Sequence, residues 1–401
     1  MREFPKIISV DDHVVEPPNV WQDRLPAKYR DVGPRVLRAP VKEMTFVGGK
    51  LTVVPGEPSD AGEPVDWWFY EDLRRPLMRL DAAVGHDRDD ITVEGTTYEW
   101  MRPGSYQVKP RLEDMDTNWI EASLCFPTFP RFCGQTFLEA KDKDLAKLCV
   151  EAYNDWMVDE WCGESGGRLI PLVIIPLWDA QLAADEVRRN AARGVHAVCF
   201  SEIPPFLGLP SVHQPDNYWD PFFAACAETA TVICMHIGSS SKMPIASPDA
   251  PPGVAGVLQF NNSMASLADW LYSGVLVRFP KLKLAYSEGQ IGWIPYALER
   301  ADTVWEHHDA WIKAKERIPD PPSTYYAGRI FGCFTSDEHG LRNIDAVGED
   351  NVCFETDYPH TDTTWPNTLP FIEKFRENLT DEQLYKVLRG NAIRMLELDR
   401  V

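Results

Sequence analysis

Paired cysteines are missing from this sequence. Its nine cysteines are scattered singly, their number is odd and no C-x-x-C spacing occurs, which argues against a disulfide framework and against a thiolate metal site. Cys199, Cys234 and Cys353 stand within apolar runs typical of buried strands, where cysteine serves as a small hydrophobic residue. This usage is typical of a reducing compartment, and we expect a cytoplasmic protein.

Long hydrophobic runs are missing as well. The longest, from Leu169 to Trp178, contains two prolines and is far shorter than the roughly 20 apolar residues that cross a bilayer. The first residues, MREFPKIISVDDH, lack the apolar core of a secretory signal peptide. We therefore expect a protein that neither spans nor binds a membrane.

No Lys/Arg-rich tract offsets the acidic residues, and the formal net charge is −21. A surface of this sign repels phosphate backbones, so nucleic acids are excluded as expected partners. It gives no help in attracting an anionic small molecule either. Such a substrate would need a local cation, which a bound metal ion can supply.

Short apolar runs rich in β-forming residues alternate with helical patterns along the chain, which predicts parallel βα units. The overall composition, 44% hydrophobic and 25% charged, is that of an ordinary globular protein. The predicted strands are Ile7–Val10, Ala122–Phe126, Leu169–Ile175, Ala197–Phe200, Val232–Met235, Leu282–Tyr286, Ile330–Phe334 and Val352–Glu355.

Helical spacing of apolar residues predicts helices over Asp179–Arg193 and Ile294–Trp305, and a capping-box pattern at Thr380 opens a last helix that runs to about Leu398. Eight βα units favour a closed (β/α)₈ TIM-type barrel, an α/β fold, over a doubly wound sheet. We expect residues 1–401 to form this one domain. A barrel takes about 250 residues, so an insertion must account for the remainder.

Residues 35–110 do not fit the βα pattern and predict a β-rich insertion after the first strand. Two alternating segments around Gly48-Gly49 indicate a hairpin, and Ile91 to Tyr98 could form a second one. The insertion contains Trp67, Trp68, Phe69, Tyr70 and Trp100. We expect these aromatic residues to form a small core of the insertion; the alternative is that some of them cover the active-site pocket.

Polar residues of metal-ligand type follow most of the predicted strands, at the ends where such barrels have their active sites. Asp11 and His13 alternate in an extended segment and therefore share one face. The other candidates in this position are Glu202, His236, Glu288, His339, Asp357 and His360. Each of them alone is more often a helix cap or a hydrogen-bonded loop residue than a ligand.

Taken together, the candidates favour a metal site over separate capping or loop roles. Carboxylates and imidazoles that converge on one barrel mouth are costly to bury without a metal ion or paired charges. A divalent cation removes that cost. We therefore expect a divalent metal ion at the carboxyl ends of the strands.

Several segments, taken together, resemble the amidohydrolase-related branch of the amidohydrolase superfamily, which contains aromatic and semialdehyde decarboxylases and many uncharacterised hydrolases. Their order along the chain and their places on the predicted strands are those of that family. They are Asp11-x-His13 followed by Glu16-Pro17, the strand-end His236, YSEGQIGWIPYALERAD from Tyr286 to Asp302, TDYPH from Thr356 to His360, and the closing Asn391-Ala-x-Arg394.

The resemblance implies a metal ion held by Asp11, His13, His236 and Asp357. The chain departs from the wider superfamily in its Asp-x-His, where His-x-His is common, and in Glu288, where a histidine is usual. Both changes add oxygen donors, which favours Mn²⁺ or Fe²⁺, with Zn²⁺ as an alternative.

Binuclear relatives use strand-end ligands at the positions of Glu202, His236 and Glu288 to bridge their ions and to hold the second one. One or two metal ions per chain therefore remain open. The candidate catalytic residues are Asp357 and His360. The candidate substrate-binding residues are His339, Trp178 and Ser239.

Two reactions suit these residues. In hydrolysis of an ester, thioester or amide, metal-activated water attacks the carbonyl and Asp357 transfers its proton. In non-oxidative decarboxylation, Asp357 protonates the carbon that loses CO₂. The full binuclear ligand set favours hydrolysis, so we expect a metal-dependent hydrolase, with decarboxylation as the alternative.

The expected substrate is a small molecule with a bulky apolar acyl group. Barrels of the family that the sequence resembles often pair, so a homodimer is one alternative and the oligomeric state stays open. A third interpretation, a barrel that binds without catalysis, predicts missing ligands. It is disfavoured because every expected position is filled.

Overall fold

The computed structural model describes residues 4–47, 50–57 and 62–399. Every predicted apolar run overlaps a strand of the described chain, although the run Leu169–Ile175 is a strand only at Leu169–Ile170 and pairs again through an isolated bridge at Val173. The strands are β1 Ile7–Val14, β2 Arg35–Val47, β3 Lys50–Pro55, β4 Pro64–Tyr70, β5 Leu73–Pro76, β6 Ile120–Pro127, β7 Leu169–Ile170, β8 Ala197–Phe200, β9 Val232–His236, β10 Leu284–Ser287, β11 Ile330–Phe334 and β12 Val352–Phe354.

Parallel pairing joins eight strands, β1 and the seven from β6 to β12, into a closed ring. The hydrogen-bonded orders are β1-β6-β7 and β12-β11-β10-β9-β8. An isolated parallel bridge between Val173 and Val198 connects the two arrays. At the other junction, the backbone N–H of Asp357 donates to the carbonyl oxygen of Asp11 at 3.1 Å. The predicted (β/α)₈ barrel is thus confirmed.

Helices surround the barrel, and within the described chain none has the length and apolarity that a bilayer-spanning helix needs. The α-helices are α1 Val108–Thr117, α2 Gln135–Leu138, α3 Lys143–Trp156, α4 Ala180–Ala191, α5 Asp220–Glu228, α6 Pro252–Leu258, α7 Asn261–Tyr272, α8 Val275–Arg278, α9 Ile294–His307, α10 Asp309–Ile312, α11 Glu338–Arg342, α12 Ile344–Val347, α13 Thr368–Glu373, α14 Asp381–Tyr385 and α15 Asn391–Met395.

Local signals in the sequence set the ends of several helices. The Asp179 side chain accepts the N–H groups of Gln181 and Leu182 at the start of α4, which satisfies donors that have no partner within the helix. Thr380 forms the predicted capping box at α14. The last predicted helix is divided, because a π-helical segment, Lys386–Gly390, separates α14 from α15.

An antiparallel sheet of order β3-β2-β4-β5 lies between β1 and β6 in the chain. β2 and β3 pair up to Val47 and Lys50, as the alternating pattern predicts. The predicted Gly48-Gly49 turn between them lies outside the described residues.

The second predicted hairpin, over residues 91–98, is wrong. This segment pairs with the rest of the insertion instead of with itself: Gly95 forms an isolated bridge with Met78, and the Thr96 N–H donates to the Leu77 carbonyl at 2.7 Å. Gly95 is needed there because a Cβ atom would lie 2.9 Å from the Val65 side chain. The close approach to β4 thus takes the place of a local hairpin.

Buried aromatic residues attach the insertion to the barrel. The Trp68 ring stacks on Phe129 at 4.7 Å and lies edge-on to Trp21 at 5.2 Å. Trp21 follows β1 and Phe129 follows β6, so Trp68 and Tyr70 join the barrel's hydrophobic core rather than a small separate one. Aromatic pairs of this geometry contribute about 0.5–1.5 kcal/mol beyond their buried area. The insertion is thereby held beside the barrel mouth.

Candidate metal centre and active site

Four barrel strands aim metal-ligand side chains at one point. Asp11 and His13 lie two residues apart on β1, so both face the barrel interior, and both are fully buried. His236 is the last residue of β9, and Glu288 follows β10 directly. Asp357 lies just beyond β12. The structure brings these five predicted residues together at the barrel mouth, in two overlapping groups, the second of which also contains His360.

The ligand atoms of these five residues lie close together. His13 Nε2 is 3.5 Å from Asp11 Oδ1, 3.4 Å from Asp357 Oδ1 and 4.0 Å from Glu288 Oε1. His236 Nε2 is 3.3 Å from Asp11 Oδ2 and 3.6 Å from Glu288 Oε1. A single ion placed among Asp11, His13, His236 and Glu288 can reach two nitrogens and two carboxylates, a donor set suited to a divalent transition metal.

Unsatisfied oxygen atoms show that the donors fit a cation. Both carboxylate oxygens of Asp11 and Oδ1 of Asp357 are buried, and none of the three accepts a hydrogen bond from the described residues. A buried polar atom without a partner costs about 1–3 kcal/mol, and a charged one costs more. Burial raises the pKa of Asp11, and the charges of Glu355 and Glu288 raise it further. A divalent cation would bind these oxygen atoms and stabilise the ionised carboxylates.

The imidazoles present neutral nitrogen lone pairs to the same point. His236 Nδ1 lies 2.6 Å from the carbonyl oxygen of Ile237, so it carries the proton and leaves Nε2 free to ligate. Phe132 stacks on the His236 ring with centroids 4.2 Å apart, which fixes the plane of the ring. Burial, together with His360, lowers the pKa of His13. Neutral imidazole is the form that binds metals.

Two of the carboxylates have strained backbone conformations. Glu288 and Asp357 both adopt left-handed conformations, with φ of 53° and 49°, which cost about 1 kcal/mol or more for residues other than glycine. Hydrogen bonds hold both: the Glu288 N–H donates to Glu355 Oε1 at 2.9 Å, and the Asp357 N–H donates to the Asp11 carbonyl. These turns aim the two side chains at the centre.

His360 connects this centre with a cavity. Its ring stacks on His13 with centroids 3.6 Å apart, and its Nδ1 lies 3.2 Å from Asp357 Oδ1. Burial lowers the pKa of His360 to about 4. Together with Glu288, His360 lines a cavity of about 750 Å³, a volume suited to a small-molecule ligand.

Glu202 is not brought into this cluster. Two groups of possible metal ligands occur among the described residues, Asp11-His13-His236-Glu288 and His13-Glu288-Asp357-His360, and neither includes Glu202. Its Oε1 instead accepts a hydrogen bond from Ser263 Oγ at 2.6 Å. Burial raises the pKa of Glu202 to about 8, so the side chain is largely a neutral acid at pH 7.

The three residues predicted to bind substrate lie elsewhere in the described structure. His339 is exposed on α11. Trp178 is half-buried beneath the Lys143 ammonium group, 4.9 Å from its ring. Ser239 is fully buried, and its Oγ accepts the Glu202 N–H at 3.0 Å. None of the three lines the 750 Å³ cavity.

Sequence reasoning missed the buried support of the centre. Arg111 is fully buried, donates to the carbonyl oxygens of His13 and Gly104 and lies 4.2 Å from the Tyr358 ring. Asp12 accepts the Tyr358 N–H at 2.9 Å and thereby ties β1 to the segment after β12. An arginine in a helix is usually exposed, so no local pattern around Arg111 predicts this role.

Comparison with known proteins identifies the family of this chain. The family model described as amidohydrolase matches residues 65–398. The chain therefore belongs to the amidohydrolase family, in the superfamily that the sequence resemblance implied.

Solved structures share the fold. An amidohydrolase from Mycobacterium avium subsp. paratuberculosis has a TM-score of 0.70 and 20% identity, covering 98% of this chain and 99% of its own. The IDCase of Metarhizium anisopliae has a TM-score of 0.67 and 18% identity over 99% and 98%. The 5-carboxyvanillate decarboxylase of Novosphingobium aromaticivorans, complexed with manganese and 4-hydroxy-3-methoxy-5-nitrobenzoic acid, has a TM-score of 0.56 and 20% identity over 72% and 79%. At these identities the similarity establishes the fold.

Proposed function

We propose that the chain is a metal-dependent, non-oxidative decarboxylase of an aromatic or unsaturated carboxylic acid. The observation behind this proposal is that Asp11, His13, His236 and Glu288 form one group that can hold a single ion, while Glu202, the carboxylate expected to bridge a second ion, bonds to Ser263 outside it. The preference for hydrolysis in the sequence argument depended on a full binuclear ligand set. Without Glu202 that preference is lost.

Asp11, His13, His236 and Glu288 would hold the ion, with Asp357 beside them, and the carboxylate oxygens of this set favour Mn²⁺ among the three candidate metals. The structurally similar 5-carboxyvanillate decarboxylase contains manganese. When bound, a divalent ion supplies positive charge that orients the substrate carboxylate and stabilises the negative charge developing as CO₂ departs.

Asp357 is the proposed proton donor. As the bond between the carboxyl group and its carbon breaks, the electron pair stays on that carbon, which takes a proton to balance the reaction. Asp357 Oδ1 accepts no hydrogen bond from the described chain, so it is free to deliver that proton. His360, 3.2 Å away and in contact with the cavity, can return a proton from solvent to Asp357.

Burial supports this role for the site. Asp11, His13 and Asp357 are almost entirely shielded from solvent, and a low local dielectric strengthens the interaction between a substrate carboxylate and a cation. The cavity beside Glu288 and His360 gives the substrate access from one side.

Hydrolysis is the second candidate, and one observation favours it. The group His13-Glu288-Asp357-His360 adjoins the first group and shares two of its members, so a second ion could be held without Glu202. A water activated between two ions would suit an ester, thioester or amide.

A paired substrate screen separates the two functions. Protein reconstituted with Mn²⁺ is incubated with ortho-hydroxybenzoates and unsaturated carboxylic acids, and CO₂ is measured; parallel samples receive the corresponding esters and thioesters. We expect CO₂ release that is lost in Asp357→Asn and retained in the control Asp216→Asn, which alters an exposed loop residue. Ester or thioester turnover that needs Asp357, without CO₂ from any acid, would overturn the proposal in favour of hydrolysis.

A further inference from the structure

The cavity beside the metal centre has a mixed lining, in which polar residues such as Arg88, Asp362 and Asn367 lie among a set of apolar side chains that forms part of its wall. Glu288, Gln290, Thr335 and His360 lie next to the centre. Apolar side chains line the wall from three separate parts of the chain: Val84 and Ile91 in the insertion, Val257 and Phe260 at and after α6, and Trp365 and Phe371 after β12.

α6 is unusual for a helix of this protein. Its sequence, PGVAGVL, contains no polar or charged side chain, yet none of its residues is buried. Val257 is 72% exposed. A Cβ atom at Gly253 or Gly256 would meet nothing within 4 Å, so the helix has open space beside it. An exposed apolar helix gains free energy when a ligand covers its apolar surface.

The wall formed by Trp365 is firmly held, in contrast to α6. Trp365 Nε1 donates to the Asp114 carbonyl at 3.3 Å, and the Arg102 guanidinium lies 4.3 Å from its ring. Arg102 also forms an ion pair with Asp114 at 2.6 Å. The cavity therefore combines one fixed aromatic side with one apolar helix that has room around it.

We infer that this apolar wall binds a bulky hydrophobic part of the substrate, so that the substrate is an amphipathic carboxylic acid. Its carboxylate lies at the metal centre and its apolar part contacts Val257, Phe260 and Trp365. The occupant is a small molecule because Val257 and Phe260 line the same cavity as Glu288 and His360. The orientation of the carboxylate rests on the function proposed above; the apolar contact does not.

The test measures binding rather than turnover. The probes are benzoate and its para-alkyl derivatives from methyl to butyl, titrated calorimetrically into Mn²⁺-loaded protein. Each buried methylene is worth about 0.8 kcal/mol, so we expect affinity to rise about threefold to fourfold per added carbon. In Val257→Asp this dependence on chain length should largely disappear, with affinity for the butyl derivative falling at least about tenfold.

Val277→Asp is the matched control, since Val277 is exposed on α8 and lies outside the cavity lining. It should keep the wild-type dependence on chain length. Phe260→Ser gives a second cavity variant should Val257→Asp alter folding, which thermal unfolding would report.

Affinity that does not change with chain length, absence of binding by every probe, or equal losses in Val257→Asp and Val277→Asp would overturn the inference. A failed decarboxylase assay combined with the expected chain-length dependence would contradict the proposed reaction but leave the apolar site standing. Size-exclusion chromatography tests the other occupant of α6: a dimer that Val257→Asp dissociates, with no chain-length effect, would assign the helix to a second copy of the chain.

Discussion

The Nε2 atoms of His13 and His236 face each other at 3.3 Å across the barrel mouth. The hydrogen bond from His236 Nδ1 to the Ile237 carbonyl leaves its Nε2 as a lone pair, and that lone pair points toward Asp11 and Glu288 as well. Two nitrogens and several carboxylates in contact without a cation would repel one another. The space between the two histidines therefore favours a bound cation.

Glu288→Gln should weaken metal binding. The substitution removes one anionic donor from the point shared by His13 and His236, and we expect Mn²⁺ affinity to fall at least about tenfold, as losses of ligand support commonly do. Calorimetric titration of Mn²⁺ into metal-free protein measures this. Glu338→Gln, at an exposed glutamate on α11, is the control. Equal affinities in the two variants would remove Glu288 from the centre.

Asp357→Asn should reduce turnover by at least about a hundredfold, since amide nitrogen cannot deliver the proton that a carboxylic acid does. Burial raises the pKa of Asp357, and the neighbouring Glu288 raises it further, so neutralising the side chain removes repulsion from the metal-free fold. The thermal midpoint of metal-free protein should stay the same or rise. A large drop in that midpoint would instead indicate that Asp357 mainly stabilises the fold.

Glu202 makes the stability of metal-free protein depend on pH. Its pKa is about 8 in the fold against an ordinary value of 4.5, so between these values the folded state binds more protons than the unfolded state. The free energy of unfolding then falls as pH rises through this window, by at most about 1.4 kcal/mol per unit.

Glu202→Gln should remove that contribution. Relative to wild type, the variant should gain stability at about pH 8.5 compared with about pH 5, as measured by urea unfolding of metal-free protein. The exposed Glu164→Gln serves as control. If the pH dependence of Glu202→Gln matches that of wild type, the carboxyl group does not hold its proton in the fold.

Arg111→Lys should destabilise the protein by roughly 2–4 kcal/mol, because lysine cannot reproduce both hydrogen bonds from one buried group. The carbonyl oxygen of His13 would lose its donor, so Mn²⁺ affinity should fall as well. Thermal unfolding and metal titration measure the two effects, with the exposed Arg300→Lys as control. Unchanged stability would show that the buried guanidinium contributes no net support.

The barrel and most of its donors could be predicted because they follow from local rules. Apolar runs marked the strands, and alternation along β1 placed Asp11 and His13 on one face. Glu202 follows a strand as the other candidates do. The local sequence pattern, however, does not determine which partner a side chain beyond the strand end contacts. The contact with Ser263 depends on α7, a helix far along the chain.

The cavity residues depended on tertiary packing in the same way. The three predicted substrate-binding residues lie at or near strand ends in the sequence, yet none of them lines the cavity: His339, Trp178 and Ser239. Part of the cavity wall is formed by the insertion and by α6. Neither the insertion nor α6 has a motif that predicts contact with the barrel mouth. The positions of both segments are set by packing between elements distant in sequence.

Elemental mass spectrometry of protein purified without added metal, expressed as ions per chain, tests the central claim most directly. We predict about one ion per chain in wild type and in Glu202→Gln, and a large loss in Glu288→Gln. Two ions per chain, one of which disappears in Glu202→Gln, would contradict the single centre and restore the bridged, hydrolytic site.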